Sequence, residues 1–216
     1  MPDLAHHAAP FPTRQELEWA QWWFDTTAPS PDGTTMSVLA ERRRPLAGRE
    51  RPGPMPRPWT SSDSAWLVNT RHEWDRVRLA AAHYALVLAT QIARADAWLR
   101  RGWPWRDALP AMPVRRWAQS VAGVSPLQPL TVVPDDERQT VDLSLADWGL
   151  AELRLHCHAL APGLWPRLIV HWGLPEPVWA AVAVAPDAPA GAQASLARRR
   201  AARGWQQSFT WALEAT

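Results

Sequence analysis

The clearest periodicity in the chain runs from Ala65 to Arg101. Leu67, Trp74, Val77, Ala81, Tyr84, Leu88, Ile92, Ala95 and Leu99 recur at spacings of three, four and seven, which lays one apolar stripe along a helix. Arg71, Glu73, Arg76, Arg78 and Arg94 mostly fall off that stripe. Ser61, Ser62 and Asp63 offer caps ahead of it, and Gly102 and Pro104 stop it. The spacing predicts a single long core helix here.

Near the N-terminus, Thr13-Arg14-Gln15-Glu16 reads as a capping box after Pro12. The helix it predicts, to about Thr26, carries Leu17, Trp19, Ala20, Trp22, Trp23 and Phe24. Aromatics crowd more than one face, so at least one indole should dock on something outside the helix. Residues 28–60 follow as a connector in which Arg42-Arg43-Arg44 leads into a stretch dense in proline from Pro45 to Pro58. With little periodic apolar content it lacks the surface to offset its ordering entropy, so a mobile or extended segment is expected.

After the core helix the pattern is shorter in range. Residues 114–121 predict a short helix, Pro134-Asp135-Asp136-Glu137-Arg138 an acidic turn, and Thr140–Leu145 a brief strand. Ser144-Leu145-Ala146-Asp147 reads as a second capping box, leading a helix to Pro162-Gly163. Leu164–Trp172 and Pro177–Val184 predict two further short helices, divided by Gly173 and Pro175. Pro186–Ala192 reads as a small-residue linker, and Ser195 as the cap of a last helix to about Leu213, bent at Gly204. The pattern as a whole predicts a mainly α protein: an N-terminal amphipathic helix (1–27), a mobile Pro/Arg-rich connector (28–60), and one irregular helical domain (61–216).

Composition shifts the picture towards docking. The 216 residues hold 16 tryptophans, and all 23 basic side chains are arginine. A GC-rich coding background raises alanine, proline, arginine and tryptophan together, but each indole still has about 150–250 Å² to bury. Tryptophan and arginine are also the residues most enriched at binding hot spots. Net charge is +2. It alternates along the chain, acidic over 1–40, basic over 41–125, acidic over 126–195 and basic again to the end. Such alternation suits protein partners; a nucleic-acid binder more often shows one dominant basic face. The single cysteine, Cys157, excludes an internal disulfide and fits a reducing compartment. The longest apolar tract, Leu79–Ala93, is interrupted by His83, Tyr84 and Gln91 and is too short to span a bilayer. No secretory signal precedes it, so a cytoplasmic location is expected.

Candidate chemistry is sparse. His156-Cys157-His158, with His171 further on, is the one cluster with metal-ligating character. On a helix, however, neighbours two apart point about 200° apart and cannot share an ion. No metal or cofactor is expected. His72, Glu73, Asp75 and His83 could supply acid–base groups, but they sit on the polar side of the core helix. No nucleophile elbow, phosphate-binding loop or dinucleotide fingerprint occurs, so no catalytic residue and no small-molecule substrate is expected. Arg42–Arg44 and Arg198–Arg200 carry the alternative reading, a small nucleic-acid-associated or regulatory protein. Trp98, Trp103, Trp105 and Trp117 cluster where the core helix ends. Trp103-Pro104-Trp105 should project from a rigid turn, or else wedge the helix junction.

The order of Ala97-Trp98-Leu99, Leu109-Pro110, Leu145-Ala146-Asp147-Trp148 and Leu153-Arg154-Leu155 resembles the SctK-type accessory proteins of bacterial type III secretion. The form in plant-pathogen-type systems is the nearest. Arg167-Leu168-Ile169, Gly173-Leu174, and Ala202-Arg203-Gly204-Trp205 with Phe209 continue the likeness, which covers roughly residues 66–213. The resemblance implies a helical, non-catalytic subunit of the cytoplasmic sorting platform, peripheral to the inner membrane through its protein partners. Those partners would be the cytosolic domain of the membrane ring and a pod subunit of the SctQ type. The expected contact residues are Trp103 and Trp105, from their place on the proline turn, together with Trp98, Leu109, Trp148, Arg154 and Arg167.

Overall fold

A computed structural model of the chain describes residues 13–25, 55–58, 61–95, 110–124, 126–131, 144–161, 163–173 and 191–214. These residues are mainly helical. The chain divides into two compact units, Met1–Arg57 and Pro58–Thr216.

In the first unit, α1 (Arg14–Asp25) starts at the predicted capping box. The Glu16 amide donates to Thr13 Oγ1, and the Thr13 amide donates to the Glu16 carboxylate. Trp19 and Trp23 are buried, while Leu17 stays 55% exposed. Trp19 Nε1 donates to the Pro56 carbonyl at 2.9 Å, so an indole of α1 docks on the end of the proline-rich stretch. The rest of that stretch, residues 26–54, lies outside the described residues.

The second unit departs from the expected single core helix. Ala65–Arg71 is a 3-10 helix, His72 is extended (ψ 166°), and α2 begins only at Trp74 and runs to Ala95. Local chemistry accounts for the break. Asn69 and Thr70 are poor helix formers, and Thr70 Oγ1 donates to the Leu67 carbonyl at 2.6 Å. The break turns Trp66 and Leu67 into the core from a second direction. Leu99 and the stop at Gly102 and Pro104 lie outside the described residues.

Helix α2 is the centre of the unit. It packs against α3 (Met112–Val124), α4 (Leu145–Leu160) and α6 (Gly191–Glu214). Every residue from His83 to Ala89 is buried, so the predicted stripe of Val77, Ala81, Tyr84 and Leu88 is only one side of a helix covered all round. Trp74 and Ile92 are half-buried. Gln91 ties two neighbours to α2: its Nε2 donates to the Ala122 carbonyl at the end of α3, and its Oε1 accepts from the Leu127 amide.

Helix α4 carries the second capping box as predicted, with the Asp147 amide on Ser144 Oγ and the Ser144 amide on Asp147 Oδ2. Leu145 is therefore helical and not the end of a strand; residues 132–143 are outside the described set. Gly163 (φ 86°) turns the chain into α5 (Leu164–Trp172), which Gly173 (φ 65°) ends, matching the predicted bounds. Helix α6 starts earlier than expected, so Ser195 lies within it and is no cap. Gly204 serves close packing: a β-carbon there would come within 3.0–3.1 Å of the Leu127 and Tyr84 side chains. No helix of the described residues is long and apolar enough to cross a membrane.

Candidate functional site

The groups with chemical potential gather in the interior of the second unit. Glu152, in the middle of α4, is fully buried. Its carboxylate accepts from the amides of Leu130 (2.9 and 3.0 Å) and Thr131 (2.8 Å) and from Thr131 Oγ1 (2.6 Å). The Thr131 hydroxyl in turn accepts from Trp148 Nε1 at 2.7 Å. One helical turn on from Glu152, His156 Nε2 lies 3.9 Å from the Glu152 carboxylate and shares a 3.3 Å hydrogen bond with Tyr84 Oη.

Aromatic rings enclose this polar line. Tyr84 and Trp205 stack at 4.0 Å with 4° between planes, and Trp66 also stacks with Trp205, at 5.3 Å. His156 meets all three edge-on. Burial governs the titration of these groups. It lowers His156 to about 4, so the imidazole is neutral and forms no ion pair with Glu152. It raises Glu152, against the opposing pull of its hydrogen bonds from Thr131 and Leu130. It also raises Tyr84, with the nearby Glu152 charge adding to the effect, and raises the Cys157 thiol. A buried thiol pushed upward is an inert packing group.

The arrangement is a clamp. Three donors converge on one carboxylate and fix residues 130–131 against α4, while His156 and Tyr84 join α4 to α2. Breathing of this closed cluster would expose unsatisfied buried donors, each costing about 1–3 kcal/mol.

The structure separates the histidine–cysteine group considered as a metal set. His156 and Cys157 are buried, His158 is exposed, and His171 on α5 has its Nε2 2.9 Å from the Arg71 carbonyl oxygen. Among the described residues no three His, Cys, Asp or Glu side chains gather as ion ligands. The possible acid–base set is likewise dispersed. Glu73 and Asp75 are exposed, and His72 is half-buried and held low by burial and then by Arg76 and Arg71. His83 lies about 12 Å further along α2 than Asp75. It is buried with its ring on Trp117, and desolvation lowers it to about 4.

Of the expected contact residues, Trp98, Trp103, Trp105 and Leu109 lie outside the described residues. Trp148 is a correction to the expected surface. It is 2% exposed and its indole is committed to Thr131, because the α4 capping box aims it at the clamp. Arg154 on α4 and Arg167 on α5 are half-buried. Trp117 stacks on Trp211 of α6 at 5.5 Å, which makes it a wedge between helices.

On α6 a run of arginines is open to solvent. Arg198, Arg199 and Arg203 are exposed and Arg200 is half-exposed, with Leu196 44% exposed beside them. In the sequence this run carries the alternative nucleic-acid or regulatory reading, and Glu152 is not singled out at all. The signal for Glu152 was a lone carboxylate inside the apolar run Leu150-Ala151-Glu152-Leu153. Comparison with family models, curated proteins and solved structures gives no match for this chain.

Proposed function

We propose that this protein is a non-catalytic adaptor of a bacterial type III secretion apparatus, holding the cytosolic part of the membrane ring to a pod subunit of the sorting platform. The apparatus is assigned from the sequence likeness over residues 66–213. The observation that carries the adaptor reading is the division of labour in the helical unit. Its buried histidines, its carboxylate, its tyrosine and its cysteine are spent on internal packing and hydrogen bonds, while the arginines of α6 face outward. Residues arranged in this way hold a rigid shape and offer charge to a partner.

The test is reconstitution with the ring's cytosolic domain and the SctQ-type pod subunit of the same apparatus. A complex containing all three chains is expected. Trp103→Ala with Trp105→Ala should abolish capture without shifting the melting temperature. Failure of the wild-type chain to bind either subunit would overturn the reading.

A further inference from the structure

Helix α6 has two unlike parts. From Ala201 onward its inner face, with Ala202, Trp205, Ser208, Phe209 and Ala212, is buried in the core. Before Ala201 no residue whose side chain is described is buried. That first part has no acidic residue, either in its opening turn or anywhere from Gly191 to Leu213. Among the described residues no carboxylate pairs with Arg198, Arg199, Arg200 or Arg203; Arg198 Nε only returns to the Ala194 carbonyl of its own helix. Alanine and arginine favour the helix locally. A helical segment without tertiary burial is nevertheless marginal, and clustered like charge weakens it further.

We infer that the outer face of α6, formed by Leu196, Arg199, Arg200 and Arg203, is a docking surface for an acidic amphipathic helix of a partner protein. Arg199 and Arg203 are one turn apart, so their guanidinium forks match carboxylates spaced one turn apart on a second helix. Leu196, on the same face one turn earlier, supplies an apolar contact that a polyphosphate would not use. The exposed residues of α6 include no aromatic ring on which a base could stack. The chain's net charge of +2, divided among acidic and basic blocks, gives little long-range attraction for nucleic acid. A carboxylate-bearing helix meets each of these features. The adaptor reading enters only in making the partner a protein.

The experiment titrates the full chain with an alanine-based helical peptide that carries glutamates four residues apart around a leucine, and with single-stranded and duplex oligonucleotides. The peptide should bind, weaken as salt is raised, and protect the backbone amides of residues 193–203 from hydrogen exchange. Arg199→Glu with Arg203→Glu should weaken it more than about tenfold, and a peptide with arginines in place of its glutamates should bind that double variant. Arg116→Glu, an exposed change on α3, should have no effect. Peptide binding indifferent to the double variant overturns the inference, as does an oligonucleotide bound more tightly through the same arginines. Capture of the ring and pod subunits is read alongside. Equal capture by wild type and double variant overturns this surface and leaves the adaptor reading in place. Arginine-dependent peptide binding without any capture supports this surface and removes the assignment to the secretion apparatus.

Discussion

A β-carbon added to Gly149 of α4 would lie 1.9 Å from the carbonyl oxygen of Ala81 on α2. The next nearest atoms are also Ala81 backbone, at 2.4 and 2.9 Å, so no side chain can move aside to make room. The central helix and α4 therefore touch backbone to backbone at this pair, and the clamp around Glu152 is built less than one turn away.

Gly149→Ala should accordingly force the two helices apart and cost about 3 kcal/mol or more. Gly173→Ala provides the contrast. Its φ of 65° strains an alanine, but nothing lies within 4 Å of the added carbon, so a loss of only about 1–2 kcal/mol is expected. Urea unfolding of the two variants checks the ranking, and a wild-type midpoint for Gly149→Ala would contradict the close approach.

The Glu152 clamp should behave as a coupled unit. Glu152→Ala leaves two amides and a hydroxyl buried without their acceptor, a loss of about 3 kcal/mol or more. Thr131→Val removes the link between Glu152 and Trp148, and Trp148→Phe removes the same link from its other end. The double variant Thr131→Val, Trp148→Phe should therefore be destabilised by clearly less than the sum of the two single losses. Strict additivity in thermal unfolding would show that the hydrogen bond between them contributes nothing.

Acid should weaken the fold through two histidines. Burial lowers His83 and His156 to about 4 in the folded state, from 6.5 when exposed. Between pH 6.5 and 4 the unfolded chain thus binds more protons than the folded one, and stability falls as pH is lowered. Each histidine contributes up to about 1.4 kcal/mol per pH unit in that window. Glu152 acts in the opposite sense above pH 4.5, because its raised value makes the folded state the better proton acceptor there. Melting temperature should drop from pH 7 to pH 5, and His83→Phe should flatten the profile. A profile unchanged in that variant would mean that His83 binds its proton equally well in the folded and unfolded chain.

The local features were legible because their causes are local. The Ser144–Asp147 capping box is four residues of mutually satisfying donors and acceptors, and α5 is bracketed by two glycines in left-handed conformation. The helical class follows from spacing alone. The candidate contact residues were less legible: the likeness puts Trp148 among the expected partner contacts, yet its indole donates to Thr131, seventeen residues earlier in the same chain.

What the amino-acid order determined by itself was therefore the helices, several of their ends and the apolar side of α2. Only the tertiary structure decided that α2 would be covered on every side, since Ala80, Ala85 and Ala89 look neutral in a pattern until other helices close over them. It also decided that Glu152 would be buried and that the arginines of α6 would be left outside. Each of those outcomes depends on contacts between residues far apart in sequence. A one-dimensional period records which face of a helix is apolar, but not how many neighbours that helix will have or which polar group will find its partners inside.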